Sequence, residues 1–312
     1  MTPVRTLLGT AIAASLLLLS ACGSAPEGET AKAPAAAPAE SADAFIARVN
    51  RTIEEDTPEV TSAQWLSSTY INADTQRVAA AANERWLTAH NAFVEQAKTY
   101  DEAAQSPATA RALHILKTNA AMPAPRDPAK LRELTGIATR MEATYGAGKW
   151  CRDGKTAKDC LDIGQISEIL ADTANSSYEQ QLDAWQGWHT ISPPLRKDYQ
   201  RFVELTNEGA REMGYANTGE VWRAGYDMTP AEFQAETDRL WEQVKPLYTQ
   251  LQCYARNKLV DKYGDKGQVN GLIPAHLTGN LWQQDWGNLW PLLEPYKGVG
   301  SLDINGALRK QR

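Results

Sequence analysis

The sequence predicts an all-α protein. Apolar residues recur at helical spacing along most of the chain, convincing runs of strict alternation are absent, and Pro- or Gly-rich breakers separate the periodic stretches. About eight to ten helices are expected, some of them long, and no internal repeat is visible.

The first segment is not part of that helical body. Arg5 is the only charged side chain ahead of an apolar run from Leu7 to Leu19, which ends in Leu19-Ser20-Ala21-Cys22. A short basic start, an apolar run and small residues describe an export signal over residues 1–21, and the run is too short for a spanning helix. Leu-Ser-Ala-Cys also resembles the bacterial lipobox, whose Cys is acylated, with plain secretion as the alternative. Cys22 is therefore the expected lipidation site. The expected location is a membrane-anchored lipoprotein facing the periplasm. Residues 22–43 are rich in Ala and Pro with no large apolar residue, and read as a disordered tether.

A helical domain is expected over residues 44–312. Phe45, Val49 and Ile53 repeat every fourth position. Trp86, His90, Phe93, Ala97 and Tyr100 follow a 4-3-4-3 rhythm, as do Leu240, Val244, Leu247, Leu251 and Tyr254. Leu131, Leu134, Ala138, Met141 and Tyr145 form a further helical stripe. Breakers are expected at Ala121 to Pro125, Gly146 to Gly154, Ser192-Pro193-Pro194, and Gly264 to Pro274. Thr229-Pro230-Ala231-Glu232 reads as an N-cap, a Pro at the first helical position and an acid at the third. Pro246 should kink the following helix or mark its true start.

The net charge of −6 argues against a nucleic-acid partner. Ten Trp and eleven Tyr against four Phe favour aromatics with a polar edge, suited to wet clefts. Cys151 and Cys160 bracket a polar loop and make a disulfide candidate in an exported chain. Cys253 reads as a buried thiol.

Motifs that carry chemistry are scarce. The four histidines, His90, His114, His189 and His276, are not spaced to share a helix face, and neither His-x-x-x-His nor Cys-x-x-Cys occurs. A catalytic zinc takes three protein ligands, so no metal or catalytic residue is assigned. His90, alone among apolar positions, reads as packed and hydrogen-bonded. Gly148 to Thr156 ends in Gly-Lys-Thr, but its glycines are spaced wrongly for a phosphate loop. Trp185 and Trp188 read either as a sugar-stacking pair or as core, with core favoured.

Several ordered segments then point to one family. They are Trp185-Gln186-Gly187-Trp188-His189, Asn217-Thr218-Gly219-Glu220-Val221-Trp222-Arg223, Pro246-Leu247-Tyr248, Tyr263-Gly264, Ile273-Pro274-Ala275-His276-Leu277 and Trp282-Gln283-Gln284-Asp285-Trp286. Together they resemble the angiotensin-converting enzyme (peptidyl-dipeptidase A) family of zinc dipeptidyl carboxypeptidases, over residues 44–312. The resemblance implies the N-terminal part of an elongated, channel-split, gluzincin-like helical fold. It implies that Gln284 binds the C-terminal carboxylate of a small peptide, that Tyr226 stands beside a chloride, and that His189 replaces an Arg at a second chloride. It also places a small disulfide loop at Cys151 and Cys160. Zinc and chloride are expected of the complete family fold. No His-Glu-x-x-His occurs in this chain, so it is expected to be inactive alone, with much apolar surface left for a further C-terminal half. The alternatives are a non-catalytic peptide-binding lipoprotein or the relic of a truncated gene.

Overall fold

The computed structural model describes residues 40–152, 159–296, 298 and 303–311. The signal, Cys22, most of the Ala/Pro-rich stretch and residues 153–158 between the two cysteines lie outside them. Among the described residues the chain forms ten α-helices of seven residues or more, with almost no strand. None of these helices is long and apolar enough to cross a membrane.

Helix α1 (Ala42–Thr69) starts on Ser41, whose hydroxyl accepts from the Ala44 amide. It begins inside the stretch read as a tether, because Ala42 and Phe45 are already buried. Helix α2 (Ala73–Ala97) is closed by a reciprocal Asn72–Thr75 capping box, and α3 (Pro107–Thr118) by Ser106 with Pro at its first position. Phe45 and Val49 meet Ala97, Leu113 and Leu116 in a first core. The Phe45 ring stacks on Tyr100 with centroids 5.3 Å apart.

A second core joins α4 (Pro128–Gly146) to α7 (Arg196–Met213) through Leu131, Leu134, Ile137 and Leu205. Two forked ion pairs flank it. Arg201 donates to both Glu133 oxygens at 2.8 and 2.9 Å, and Arg140 to both Asp198 oxygens at 2.8 and 2.9 Å. Those hydrogen bonds hold both carboxyls below the usual carboxylate range. Exposed pairs add little energy, so their effect is to set the register of the two helices. Pro193 and Pro194 fall in the break that precedes α7, as expected. Pro193–Leu195 is a 3₁₀ turn running directly into α7, where the first turn tolerates Pro. Gly209 on α7 lies so close to the Pro123-Ala124 backbone that an added Cβ would sit 2.6 Å from it.

Strands β1 (Trp150–Cys151) and β2 (Cys160–Leu161) pair antiparallel, and the Cys151–Cys160 disulfide joins them. Helices α5 (Ile163–Ala171) and α6 (Tyr178–Trp188) bury Ile166, Leu170, Ala184 and Trp188 with Leu281. Trp150 packs on Gly187, and the Trp188 indole donates to the Tyr145 hydroxyl at 3.3 Å. Trp188 is thus core, which excludes a Trp185–Trp188 sugar platform.

Helix α8 (Thr218–Ala224) leads to α9 (Pro230–Tyr263), closed by the expected Thr229–Glu232 capping box. Pro246 lies within α9 and does not mark its start. Only Ala255 and Leu259 of α9 are buried. The apolar stripe read in the sequence is bare over most of its length: Leu240, Val244, Leu247 and Leu251 are exposed, Leu247 at 74%. Helical periodicity identified an apolar face, but no described element covers it. Cys253 is half-buried rather than buried, with an Arg256 nitrogen 3.7 Å from its sulfur. Helices α10 (Trp290–Leu293) and α11 (Ile304–Lys310) are short.

Two substitutions test this packing by urea denaturation. Gly209→Ala forces a methyl group onto unyielding backbone and should cost about 1–3 kcal/mol. Leu247→Lys on the bare face should change stability by less than about 0.5 kcal/mol and reduce binding of an apolar dye.

Candidate functional site

The segment after α9 is built to hold Gln284 in the open. Asn270 and Gly271 both take positive φ (51° and 77°), while Val269 and Leu272 exchange two 2.9 Å backbone bonds. This is a two-residue hairpin turn, for which Asn-Gly is the favoured pair. A buried 3₁₀ turn, Ala275–Leu277, follows. Leu277 and Leu289 then close on Leu259 of α9, ringed by Tyr178, Tyr263, Ile273, Trp286 and Leu293.

Between those anchors the chain bonds to itself. The Asn280 carboxamide oxygen accepts from the amides of Trp282 and Gln283, both at 2.8 Å, and its nitrogen donates to the Asp285 carbonyl at 3.3 Å. The Asn288 amide donates to the Gly279 carbonyl at 2.9 Å, and Asp285 accepts from the Gly287 amide at 2.7 Å. Gln283 is held at φ 60°, which costs a non-glycine residue about 1 kcal/mol or more. Its own side chain stabilises the bend by donating to the Leu281 carbonyl at 2.7 Å. Gln284, next in line, is exposed, and its amide makes no hydrogen bond among the described residues. An unengaged carboxamide offers two N–H donors and an acceptor oxygen. Two residues on, Trp286 lies 6.3 Å from Tyr248 of α9, which in turn meets Trp241 at 5.6 Å.

Tyr226 lies at the α8–α9 junction. It is 62% exposed, with its ring 4.7 Å from Phe233 in the second turn of α9. Its neighbour Asp227 (φ 57°) accepts from Arg111 of α3 at 2.5 Å and has His114 Nε2 at 3.4 Å, and the Arg111 bond pulls its carboxyl below the usual range. Helix α9 thus connects Tyr226 to the Gln284 loop, but Phe233 and Tyr248 are separated by about 22 Å of helix rise. His189 is elsewhere, capping α6. Its Nδ1 lies 2.6 Å from the Trp185 carbonyl, and its ring lies 3.9 Å from that of Trp185. A carbonyl partner requires the proton on Nδ1, which leaves Nε2 of a neutral ring as an acceptor that repels anions. No hydrogen bond or ring contact links Gln284, Tyr226 and His189 among the described residues.

Sequence reasoning missed Asn280, Gln283 and His276 as supports of this loop. Only Asn280, a turn-former close after Gly279, left a signal. His276 is buried with its ring edge-on to Tyr178 at 4.6 Å, and its Nε2 has no partner among the described residues. Burial pushes its pKa down to about 4. His90 is half-buried beside a cleft, without the hydrogen bond expected of it among the described residues. No group of three or more His, Cys, Asp and Glu side chains among the described residues is placed to hold a metal ion, so no step through zinc is derived.

Two measurements test the loop. Asn280→Ala removes two accepted bonds and one donated bond and should cost about 1–2 kcal/mol in denaturant. The neutral form of His276 stabilises the fold fully above its unfolded value near 6.5. That contribution is lost as pH falls towards about 4, and is on the order of 3 kcal/mol at most. Stability measured from pH 7 to 4.5 should therefore fall more steeply in the native chain than in His276→Gln.

The chain's relatives are consistent with this architecture. A family model described as angiotensin-converting enzyme matches residues 36–312. Angiotensin-converting enzyme of Sus scrofa is 34% identical over 277 residues, covering 86% of this chain and 20% of that protein. The Bos taurus enzyme is 33% identical over 294 residues, covering 90% of this chain and 22% of that protein. The chain spans about a fifth of the length of these curated relatives. On a match that extends over nearly the whole helical body, the chain belongs to the angiotensin-converting enzyme family of peptidases.

Proposed function

We propose that this chain forms the carboxylate-gripping wall of a peptidyl-dipeptidase site, one that releases C-terminal dipeptides from small peptides. The observation that carries this reading is the exposed Gln284 carboxamide, held on a self-bonded loop near the bare apolar face of α9. A carboxamide donates to a carboxylate without adding charge, and the neighbouring apolar face suits the side chains of an extended peptide. The family's zinc would supply a Lewis acid and an activated water. The described residues offer no donor set for it, so its ligands belong to a further part of the family fold, for which the bare α9 face is the fitting contact. Tyr226 is the chloride contact in this reading. His189 could serve a second chloride only when protonated. An acylated Cys22 would hold the assembly on a membrane from the periplasmic side.

A second reading is a peptide-binding module without catalysis. Its support is that the five buried clusters close within the described elements.

Calorimetry with a tripeptide carrying a free or an amidated C-terminus tests the grip. The free acid should bind about tenfold more tightly, and Gln284→Ala should erase the difference. Equal binding of the two peptides by the native chain would refute it. Dipeptide release from the same tripeptide separates the two readings: the isolated chain should release none, and adding a segment that bears the family's zinc motif should restore release only in the first.

A further inference from the structure

Away from the Gln284 loop, helices α1, α2 and α3 and the linker after α3 enclose a cleft of about 580 Å³. That volume is typical of small-ligand sites. Its composition is unusual for this chain. Charged residues make up 22% of the sequence, yet no Asp, Glu, Lys or Arg lines the cleft. Its apolar surface comes from Val49, Ile53, Trp86, Ile115 and Leu116. Its polar groups are four side-chain amides, Asn50, Gln64, Asn83 and Asn119, with His90. Gln64 donates to Asn83 at 3.3 Å. No hydrogen bond engages the amides of Asn50 and Asn119, the Trp86 indole N–H or the His90 ring among the described residues. Burial lowers the His90 pKa, which keeps that ring neutral as well.

A lining of amides and aromatics without charge excludes ionised ligands, because a buried ion here would find no counter-charge. It suits a ligand that is itself made of amides and apolar side chains. Side-chain carboxamides can donate to and accept from a peptide bond at once.

We propose that this cleft binds an uncharged peptide segment, with one large apolar side chain against Trp86 and Ile53 and its backbone amides paired with Asn50 and Asn119. The site is separate from the Gln284 grip. It takes the interior of a peptide rather than its terminal carboxylate, and it stands whether or not Gln284 acts as proposed.

The test uses the full chain and a tripeptide blocked at both ends, N-acetyl-Leu-Phe-Leu-amide, followed by calorimetry. This probe has no carboxylate for Gln284. Saturable binding is expected, unchanged by Gln284→Ala and lost when the central Phe of the peptide is replaced by Asp. Trp86→Ala and Asn119→Leu should each weaken binding about tenfold. Asn119 is exposed, so its variant keeps the fold even if Trp86→Ala does not, and thermal melting checks both. Absence of saturable binding overturns the proposal. So does an Asn119→Leu variant that binds as tightly as the native chain or more tightly, since that would reduce the cleft to a merely apolar surface.

Discussion

Leu259, Leu277 and Leu289 meet at the C-terminal end of α9, and the presentation of Gln284 depends on that contact. Each buried leucine contributes about 1.5–3 kcal/mol. Ordering the backbone of a loop costs about 1–2 kcal/mol per residue, so three leucines alone cannot hold the segment from Leu277 to Leu289. The remainder comes from the bonds the loop makes to itself through Asn280, Asp285 and Asn288. Those bonds form only if both ends are fixed. The leucine contact fixes them, and the loop bonds then make tolerable the left-handed bend at Gln283 that sets Gln284 outward.

Helix α9 is consequently two helices in one. Its last turns are anchored by Ala255 and Leu259, while the stretch from Leu240 to Leu251 carries an apolar face open to solvent. Two ion pairs in and beside that stretch, Arg239–Glu236 and Lys245–Glu242, run along the helix itself. Bare apolar surface of this kind destabilises an isolated chain in water and favours association. The same property suits the face to contact either a bound peptide or a further helical segment.

Much of the fold was legible from local signals. Thr229, Pro230 and Glu232 mark the start of α9 because capping is a matter of neighbouring residues. Large parts of the stripes of α1, α2 and α4 also fell into cores, since they find partners among the described helices, while Trp86 and His90 of the α2 stripe line the cleft instead. The same rhythm in α9 marked an apolar face that the described helices leave open, because period reports which face is apolar and not what covers it. The Asn280 scaffold and the φ of Gln283 could not be read, since side-chain bonds to backbone exist only once the loop has closed. The cleft was equally hidden: Asn50 on α1, Asn83 on α2 and Asn119 just past α3 are far apart in sequence, and only packing brings them together. Gln284, Tyr226 and His189 were singled out through family resemblance alone, as nothing in their spacing marks them.

Native-state hydrogen exchange resolved along α9 bears most directly on this asymmetry. If the helix is anchored at one end only, the amides near Ala255 and Leu259 should be protected to the global unfolding free energy. Those from Leu240 to Leu251 should exchange orders of magnitude faster through local opening. Uniform protection along the whole helix would contradict it, because it would mean that something already covers the face described as bare.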